Sequence, residues 1–464
     1  MRSHTLNEAL DALKLRNGMS VSFHHHLRNG DYVLNMVLRE LYARDVLAMK
    51  LYPSAIFPVH TSIMEGLENG NIESITTNYM RGPVSDYLFD HGIDGQVRMQ
   101  THGGRARSII EGENPIDIAF VAASAVDAQG NASGLEGKSA CGSLGYAAED
   151  VAHAGMVVLI TDTRIETLKH PQIDAGDVDM VVEVEAIGDR AGIVSGTLSI
   201  TTDPLGLKIA RDAMRFLNGT GMIKDGVSFQ SGAGGISLAI TQAFTQTLKR
   251  DNVHASFFTG GITQHHTRAL EQGLVDNLYD VQCFDMAAID SLKRNPNHHF
   301  ISASDYANPN NDARKIKALD IVILGAAQMD CDFNVNVTTD ARGVIMGGSG
   351  GHSDTAEDAK LCVVVSPLFK GRMPLITERV TTITTPGAHV DVLITERGIA
   401  INPLRTDLIE RFKDSTLPLF TIEALMHKAR ALSGKPKTPR VPSGTLGRVE
   451  SRHGVTLDVL RWKG

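Results

Sequence analysis

Tryptophan occurs once in these 464 residues, aromatic residues make up only 5%, and there are four cysteines. Cys141, Cys283, Cys331 and Cys362 are scattered, with no C-x-x-C and no spacing that suggests pairing. A disulfide framework is therefore not indicated, and all four are expected to be reduced packing residues. No apolar run approaches the ~18 residues of a membrane span. The opening M-R-S-H-T-L-N-E-A-L-D-A-L-K mixes charges into a helical pattern and has no signal-peptide core. A soluble, cytoplasmic protein is expected. An excess of basic charge is also missing: 45 Lys and Arg stand against 53 Asp and Glu, a net charge of −8. That balance argues against nucleic acid as a partner, because nothing would neutralise its phosphates. There is no Walker motif and no G-x-S-x-G elbow. The adjacent histidines at 24 to 26, 265 and 266, and 298 and 299 would point apart on a strand and diverge on a helix. Without a carboxylate or Cys at ligand spacing they predict no metal site.

What is present is a repeat. Asp117, Asp127 and Asn131 stand in D-I-A-F-V-A-A-S-A-V-D-A-Q-G-N, and Asp320, Asp330 and Asn334 stand at the same spacing in D-I-V-I-L-G-A-A-Q-M-D-C-D-F-N. Upstream, L-R-N-G-M-S-V-S-F-H-H-H corresponds to I-K-D-G-V-S-F-Q-S-G-A-G-G. Downstream, A-E-D precedes an apolar strand at 148 and again at 356, and V-D-M-V-V-E-V corresponds to V-D-V-L-I-T-E. The strands are short, apolar throughout and separated by helical or Gly-rich stretches. This predicts an α/β fold of two similar three-layer domains with mostly parallel sheets. The pattern breaks at T-T-D-P-L-G-L, so the domains are placed at 1–203 and 204–464. The stretch 433–464 is read as a basic, Pro/Gly-rich arm whose V-T-L-D-V-L-R-W segment could dock as a final strand. A duplicated chain of this kind usually places its chemistry in the cleft between its halves.

Three groups of residues could act there. In S-G-A-G-G, the amides around Gly232, Gly234 and Gly235 open a helix and could face a phosphate or an oxyanion, although such turns also serve tight packing. In G-G-S-G-G-H-S-D, Gly348, Gly350 and Gly351 form a loop next to His352, with C-G-S-L-G-Y as its first-half counterpart. In the first half, His102, Arg105 and Arg107 in T-H-G-G-R-A-R-S-I join Arg81 and Lys138 in Gly-containing segments. Each cation alone could be a solvated surface charge, but as a set they suggest an anionic substrate.

These motifs, with D-V-L-I-T-E-R-G-I-A, resemble the CoA-transferase and acyl-CoA hydrolase superfamily over nearly the whole chain. Within it, T-H-G-G-R-A-R-S-I and E-G-K-S-A-C-G-S-L-G-Y-A resemble the citrate lyase alpha-subunit family. The resemblance implies exchange of acetate for citrate on a carrier-protein thioester. It implies a beta (lyase) subunit and a gamma (acyl-carrier) subunit as partners, with no cofactor tightly bound to this chain. Acyl-CoA, or the CoA-derived arm of the carrier, would be the substrate. Arg81, Arg105, Arg107 and Lys138 would then hold citrate, the two Gly loops the thioester, and His102 and His352 would be proton or orientation partners. Many members of the superfamily attack the thioester with a Glu, but the best-matching segment here, H-A-S-F-F-T-G-G, puts Ser256 at that place. The expectation is direct attack by a citrate carboxylate through a mixed anhydride. Hydrolysis of acyl-CoA, or transfer to another carboxylic acid, is the alternative reading, and a non-catalytic ligand-binding regulator is the alternative class.

Overall fold

An aspartate clamp opens the equivalent strand in each half of the protein. Asp117 Oδ2 accepts the backbone N–H of Ser20 at 2.8 Å and its hydroxyl at 3.1 Å, and Asp320 Oδ2 does the same for Ser228 at 2.8 and 3.0 Å. The second Asp of each repeat closes a turn. Asp127 accepts the N–H of Asn131 and the amide of its side chain, each at 2.9 Å, and Asp330 accepts those of Asn334 at 2.9 and 3.2 Å. Between clamp and turn run the buried strands Ile118–Ala122 and Ile321–Gly325. An Asp–Asn turn suits this place because its side chain replaces backbone partners where the strand ends.

The structure is a computed structural model that describes residues 3–93, 96–194, 199–371, 373–434 and 442–464. In the first-half sheet the order runs Val97–Met99, Ile72–Thr77, Met49–Pro53, Ser20–Phe23, Ile118–Ala122, Met156–Thr161, Met180–Glu183, with Ser3–His4 at the edge. In the second it runs His298–Phe300, Val275–Cys283, Ala255–Ile262, Val227–Ser231, Ile321–Gly325, Leu361–Val365, Val392–Thr395. The order is the same in both, every pairing in these two runs is parallel, and helices such as Val33–Tyr42 and Gly235–Asp251 alternate with the strands. The fold is thus a duplicated α/β architecture of mostly parallel sheets. Among the described residues no helix is long and apolar enough to cross a membrane.

The end of the chain returns to its beginning. Gly444–Glu450 pairs in parallel with Val97–Met99 and carries the antiparallel strand Thr456–Trp462 at the outer edge of the first-half sheet. Residues 435–441, the basic Pro-rich part of the expected arm, lie outside the described residues.

The Gly loops meet the opposite half. A Cβ on Gly145 would stand 2.7 Å from the Val281 carbonyl oxygen and 2.4 Å from that of Ile301; one on Gly348 would stand 2.2 Å from the Asn78 carbonyl oxygen. Thr101 and Gly350 form a parallel bridge between the halves, and His102 N–H donates to the Gly350 carbonyl at 2.9 Å. A small apolar cluster containing Ala106, Tyr146, Val281, Ile301 and Tyr306 fills the seam below.

Candidate functional site

The cleft lies where the C-terminal ends of both sheets face each other, the usual place for ligands in parallel α/β folds. His24, His25 and His26 follow Ser20–Phe23, Ser54 follows Met49–Pro53, Asn78 follows Ile72–Thr77, and the second half supplies Gln282 near the end of Val275–Cys283. His25 Nδ1 is 2.6 Å from Ser54 Oγ and its Nε2 is 3.1 Å from Gln282 Oε1. The amide of Gln282 donates in turn to the His25 carbonyl at 3.0 Å. Since Oε1 can only accept, Nε2 carries the His25 proton and Nδ1 accepts from Ser54. The ring stacks on Tyr146 at 4.8 Å, and Tyr146 lies 4.3 Å from His102. His102 Nδ1 accepts from Asn78 Nδ2 at 2.9 Å, which leaves an N–H at Nε2. Burial, reinforced by the Arg105 charge, pushes the His102 pKa down to about 3. Burial also holds His25 well below the usual histidine range, aided by His102, His26, Arg28 and His24. Both rings are neutral at physiological pH.

Arg28 gives the cleft its charge. Its guanidinium lies 5.6 Å from the Phe57 ring of the first half and 4.9 Å from the Phe284 ring of the second. Burial lowers its pKa, and the charge of Arg81 pushes the same way while Tyr79 and Tyr146 oppose it. Neither Arg28 nor Arg81 forms an ion pair among the described residues. Arg28 also holds a left-handed backbone, φ 53°, a strained conformation for a side chain of this kind. Two guanidinium groups without ion pairs among the described residues, both following strands of the first-half sheet at its cleft end, suit a polyanion.

Two carboxyls cross the seam in opposite directions. Asp354 Oδ2 accepts the Gly103 N–H at 2.9 Å, at the start of helix His102–Ile110. Glu149 Oε1 accepts the Ser304 N–H at 2.8 Å, at the start of Ala303–Ala307. Each half therefore caps a helix of the other. Burial raises both carboxyls to about 7, against these hydrogen bonds, which lower them.

Several sequence expectations need correction. Arg105 is buried and spends its fork on Asp150 at 2.7 and 2.6 Å and on the Tyr52 carbonyl at 3.2 Å. Although burial opposes it, this pair with Arg105 and His24 holds the Asp150 carboxyl well below the usual carboxylate range. Arg107 binds Glu111, Glu113 at 2.7 and 2.8 Å, and the Arg452 carbonyl at 3.1 Å. Lys138 donates to the Glu185 carbonyl within the first half. Arg105 and Arg107 therefore have no charge free for citrate, while the exposed Lys138 ammonium forms no ion pair among the described residues. His352 uses Nδ1 on Thr385 Oγ1 and Nε2 on the Gly325 carbonyl, both at 2.8 Å, so it has no nitrogen left for proton transfer. Gly348 and Gly350 serve the close approach of the halves, and a Cβ on Gly351 would stand 2.5 Å from the Tyr306 hydroxyl. Gly232 donates to the Ile323 carbonyl at 2.9 Å, continuing the sheet. Only Gly234 and Gly235, at the head of the Gly235–Asp251 helix, keep the expected geometry of amides opening a helix. Ser256 bonds the Gly226 carbonyl at 2.8 Å, at the start of its strand and away from the cleft. The end of that strand at the cleft is Gly260–Ile262, where Gly260 makes room for the Gln230 side chain and Gly261 for the Phe284 ring.

Of the expected residues, Arg81 and His102 follow first-half strands at the cleft, and Gly234 and Gly235 follow a second-half strand there. Sequence reasoning missed Arg28, His25, Gln282, Tyr146 and Asp354. One signal could have found Arg28: H-H-H-L-R-N-G occupies the same stage of its half as S-G-A-G-G.

The fold is CoA-transferase-like. The alpha subunit of a malonate decarboxylase from Acinetobacter baumannii shares it with a TM-score of 0.67 over 93% of this chain and 95% of that one, at 15% identity. The match is closer within one family, whose model, "Citrate lyase, alpha subunit (CitF)", covers residues 2–462. The citrate lyase alpha chain of Haemophilus influenzae is 42% identical over 457 residues, 98% of this chain and 91% of that one. A crystal structure from Streptococcus mutans, assigned as the alpha subunit of citrate lyase in complex with citrate, superposes with a TM-score of 0.96 at 43% identity, covering 99% of this chain and 91% of that one. The chain belongs to the citrate lyase alpha-subunit family, a family of citrate-related acyl transferases.

Proposed function

We propose that the chain converts an acetyl thioester of an acyl carrier protein, with citrate, into the citryl thioester and acetate. It would do so in a ternary complex without a covalent glutamyl intermediate. The observation that carries this reading is the unneutralised Arg28–Arg81 pair at a cleft whose strand end, Gly260–Gly261, bears no carboxylate. A tricarboxylate held by the two guanidinium groups would present one free carboxylate to the thioester carbonyl. Attack there forms the citryl acetyl anhydride and releases the thiolate. The thiolate then attacks the citryl carbonyl, and acetate leaves. Both steps pass through an oxyanion, which the amides at Gly234 and Gly235 and the His102 N–H are suited to receive. Positioning supplies much of the remaining rate.

In this reading residues 1–203 hold the anionic substrate and 204–464 the thioester, while a lyase subunit and an acyl-carrier subunit complete the assembly in the cytoplasm. Acyl-CoA or the CoA-derived arm of the carrier enters as substrate. The test is turnover of acetyl-CoA with a panel of di- and tricarboxylates, with citryl-CoA followed by mass spectrometry. Citrate-dependent acetate release with matching citryl-CoA is expected. Acetate release that ignores citrate would mark a hydrolase instead, and a thioester-dependent adduct on a carboxylate side chain would refute the ternary route.

A further inference from the structure

Helices Pro204–Thr220 and Gly235–Asp251 lie side by side on the second half, and an open groove of about 640 Å³ runs between them. Its floor is small and apolar, with Met214, Ala239 and Ala243, and its rims carry Arg211, Arg215 and Arg250. No carboxylate lines it, although the chain as a whole has a net charge of −8. Arg211 has no ion pair among the described residues, Arg215 reaches Asp212 only at 3.5 Å, and Arg250 pairs with its exposed neighbour Asp251. Arg211 and Arg215 are four residues apart on one helix face, where like charges repel and lower helix stability. With Arg211 unpaired among the described residues, Arg215 holding only a long contact, and Arg250 paired with a neighbour that is itself exposed, this excess of positive charge points to an external anion. The groove is also long and amphipathic, the shape that receives a helix with an apolar stripe and charged flanks.

We propose that this groove docks an acidic amphipathic helix of the acyl-carrier subunit. The apolar stripe of that helix would lie on the alanine floor and its carboxylates would meet the three guanidinium groups. A second copy of this chain fits poorly, because a two-fold contact would set the same arginines against each other. The head of the groove explains the choice of partner. Ile200 lines it, and the neighbouring Thr201 N–H donates to the Gly235 carbonyl at 3.1 Å, so a docked helix ends beside the Gly232–Gly235 loop. The identity of the carrier rests on the transferase reading; the acidic helix rests on the groove alone.

The test titrates labelled carrier protein without its thiol arm against the full chain at low and high salt, and compares wild type with an Arg211→Glu, Arg215→Glu, Arg250→Glu variant. The variant is expected to weaken Kd at least tenfold at low salt, and wild-type affinity should fall as salt rises. Acetyl-CoA and citrate exchange should stay unchanged, because free CoA does not need the docked helix. If the triple variant fails to fold, Gln242→Glu with Gln246→Glu adds carboxylates to the opposite rim, with the same expected loss. A Kd unmoved by charge reversal, no binding of carrier to wild type, or a wild-type dimer that the reversal dissociates would each overturn the proposal. Failure of wild type to form citryl-CoA from free acetyl-CoA would sink the transferase reading, while the Kd comparison would still decide the docking site.

Discussion

His25 and Gln282 hold each other across the cleft, each donating to the other: ring N–H to side-chain carbonyl at 3.1 Å, side-chain amide to backbone carbonyl at 3.0 Å. One residue comes from the end of a first-half strand and the other from a second-half strand. The pair therefore fixes the distance between the two sheets where substrate would lie. Gln282→Ala leaves the buried His25 ring N–H without a partner, which costs about 1–3 kcal/mol, while the His25 carbonyl keeps the Arg28 N–H at 3.0 Å. Calorimetry should show a lower Tm. Citryl-CoA formation should fall by more than the unfolded fraction explains; unchanged turnover in the folded variant would refute a role in spacing the cleft.

Arg28 and Arg81 should control citrate and not the thioester. Losing one charge-assisted contact of about 1.5–3 kcal/mol corresponds to roughly 10–100-fold in affinity. Arg28→Ala or Arg81→Ala is expected to raise the citrate KM in that range with little change in the acetyl-CoA KM. Steady-state kinetics with each substrate varied will separate the two, and an equal loss for both would count against the anion site.

Arg105 should behave as a structural residue. Its removal leaves Asp150 buried without its main partner, and breaking a buried pair costs about 3–5 kcal/mol. Arg105→Ala is therefore expected to lose denaturant stability on that scale, whereas Arg107→Ala, whose partners Glu111 and Glu113 stay solvated when it is removed, should lose less. A stable Arg105→Ala protein with a raised citrate KM would restore Arg105 to the substrate.

The seam carboxyls give a pH dependence. Glu149 and Asp354 have folded pKa values of about 7, above their unfolded values, because burial disfavours the charged forms. Their contribution to stability is complete below about pH 4 and is lost as pH rises through 7. Wild-type Tm should therefore fall between about pH 4 and pH 7 from this source and level off above it. Glu149→Gln keeps an acceptor for the Ser304 N–H and cannot ionise, so it should flatten part of that fall. An identical slope in both proteins would show that Glu149 does not titrate there.

The repeat was readable in the sequence because each copy carries its own local hydrogen bonds: Asp117 to Ser20, Asp127 to Asn131, and their second-half equivalents. The shared strand order of the two sheets is the architectural counterpart of that repeat. The site was only partly readable. Arg105 and Arg28 look alike in a sequence; what separates them is Asp150, 45 residues away from the first, and two phenylalanines from different halves against the second. The Gly loops were visible as loops, but the atoms that need the missing Cβ belong to the other half, as Asn78 does for Gly348. Long-range docking leaves no local pattern, so the loops could be mistaken for ligand cradles.

The strand Gly444–Glu450 covers the open side of Val97–Met99, and at its end Arg452 binds Asp358 at 2.7 and 2.8 Å while its carbonyl accepts from Arg107. On the ribosome the first-half sheet is therefore exposed along one edge for some 350 residues of synthesis, a wait of tens of seconds at ~5–20 residues per second. During that interval the Val97–Met99 edge is available to other chains. A nascent polypeptide halted before residue 444 should be prone to edge-to-edge aggregation, and release of the last twenty residues is the event that closes it.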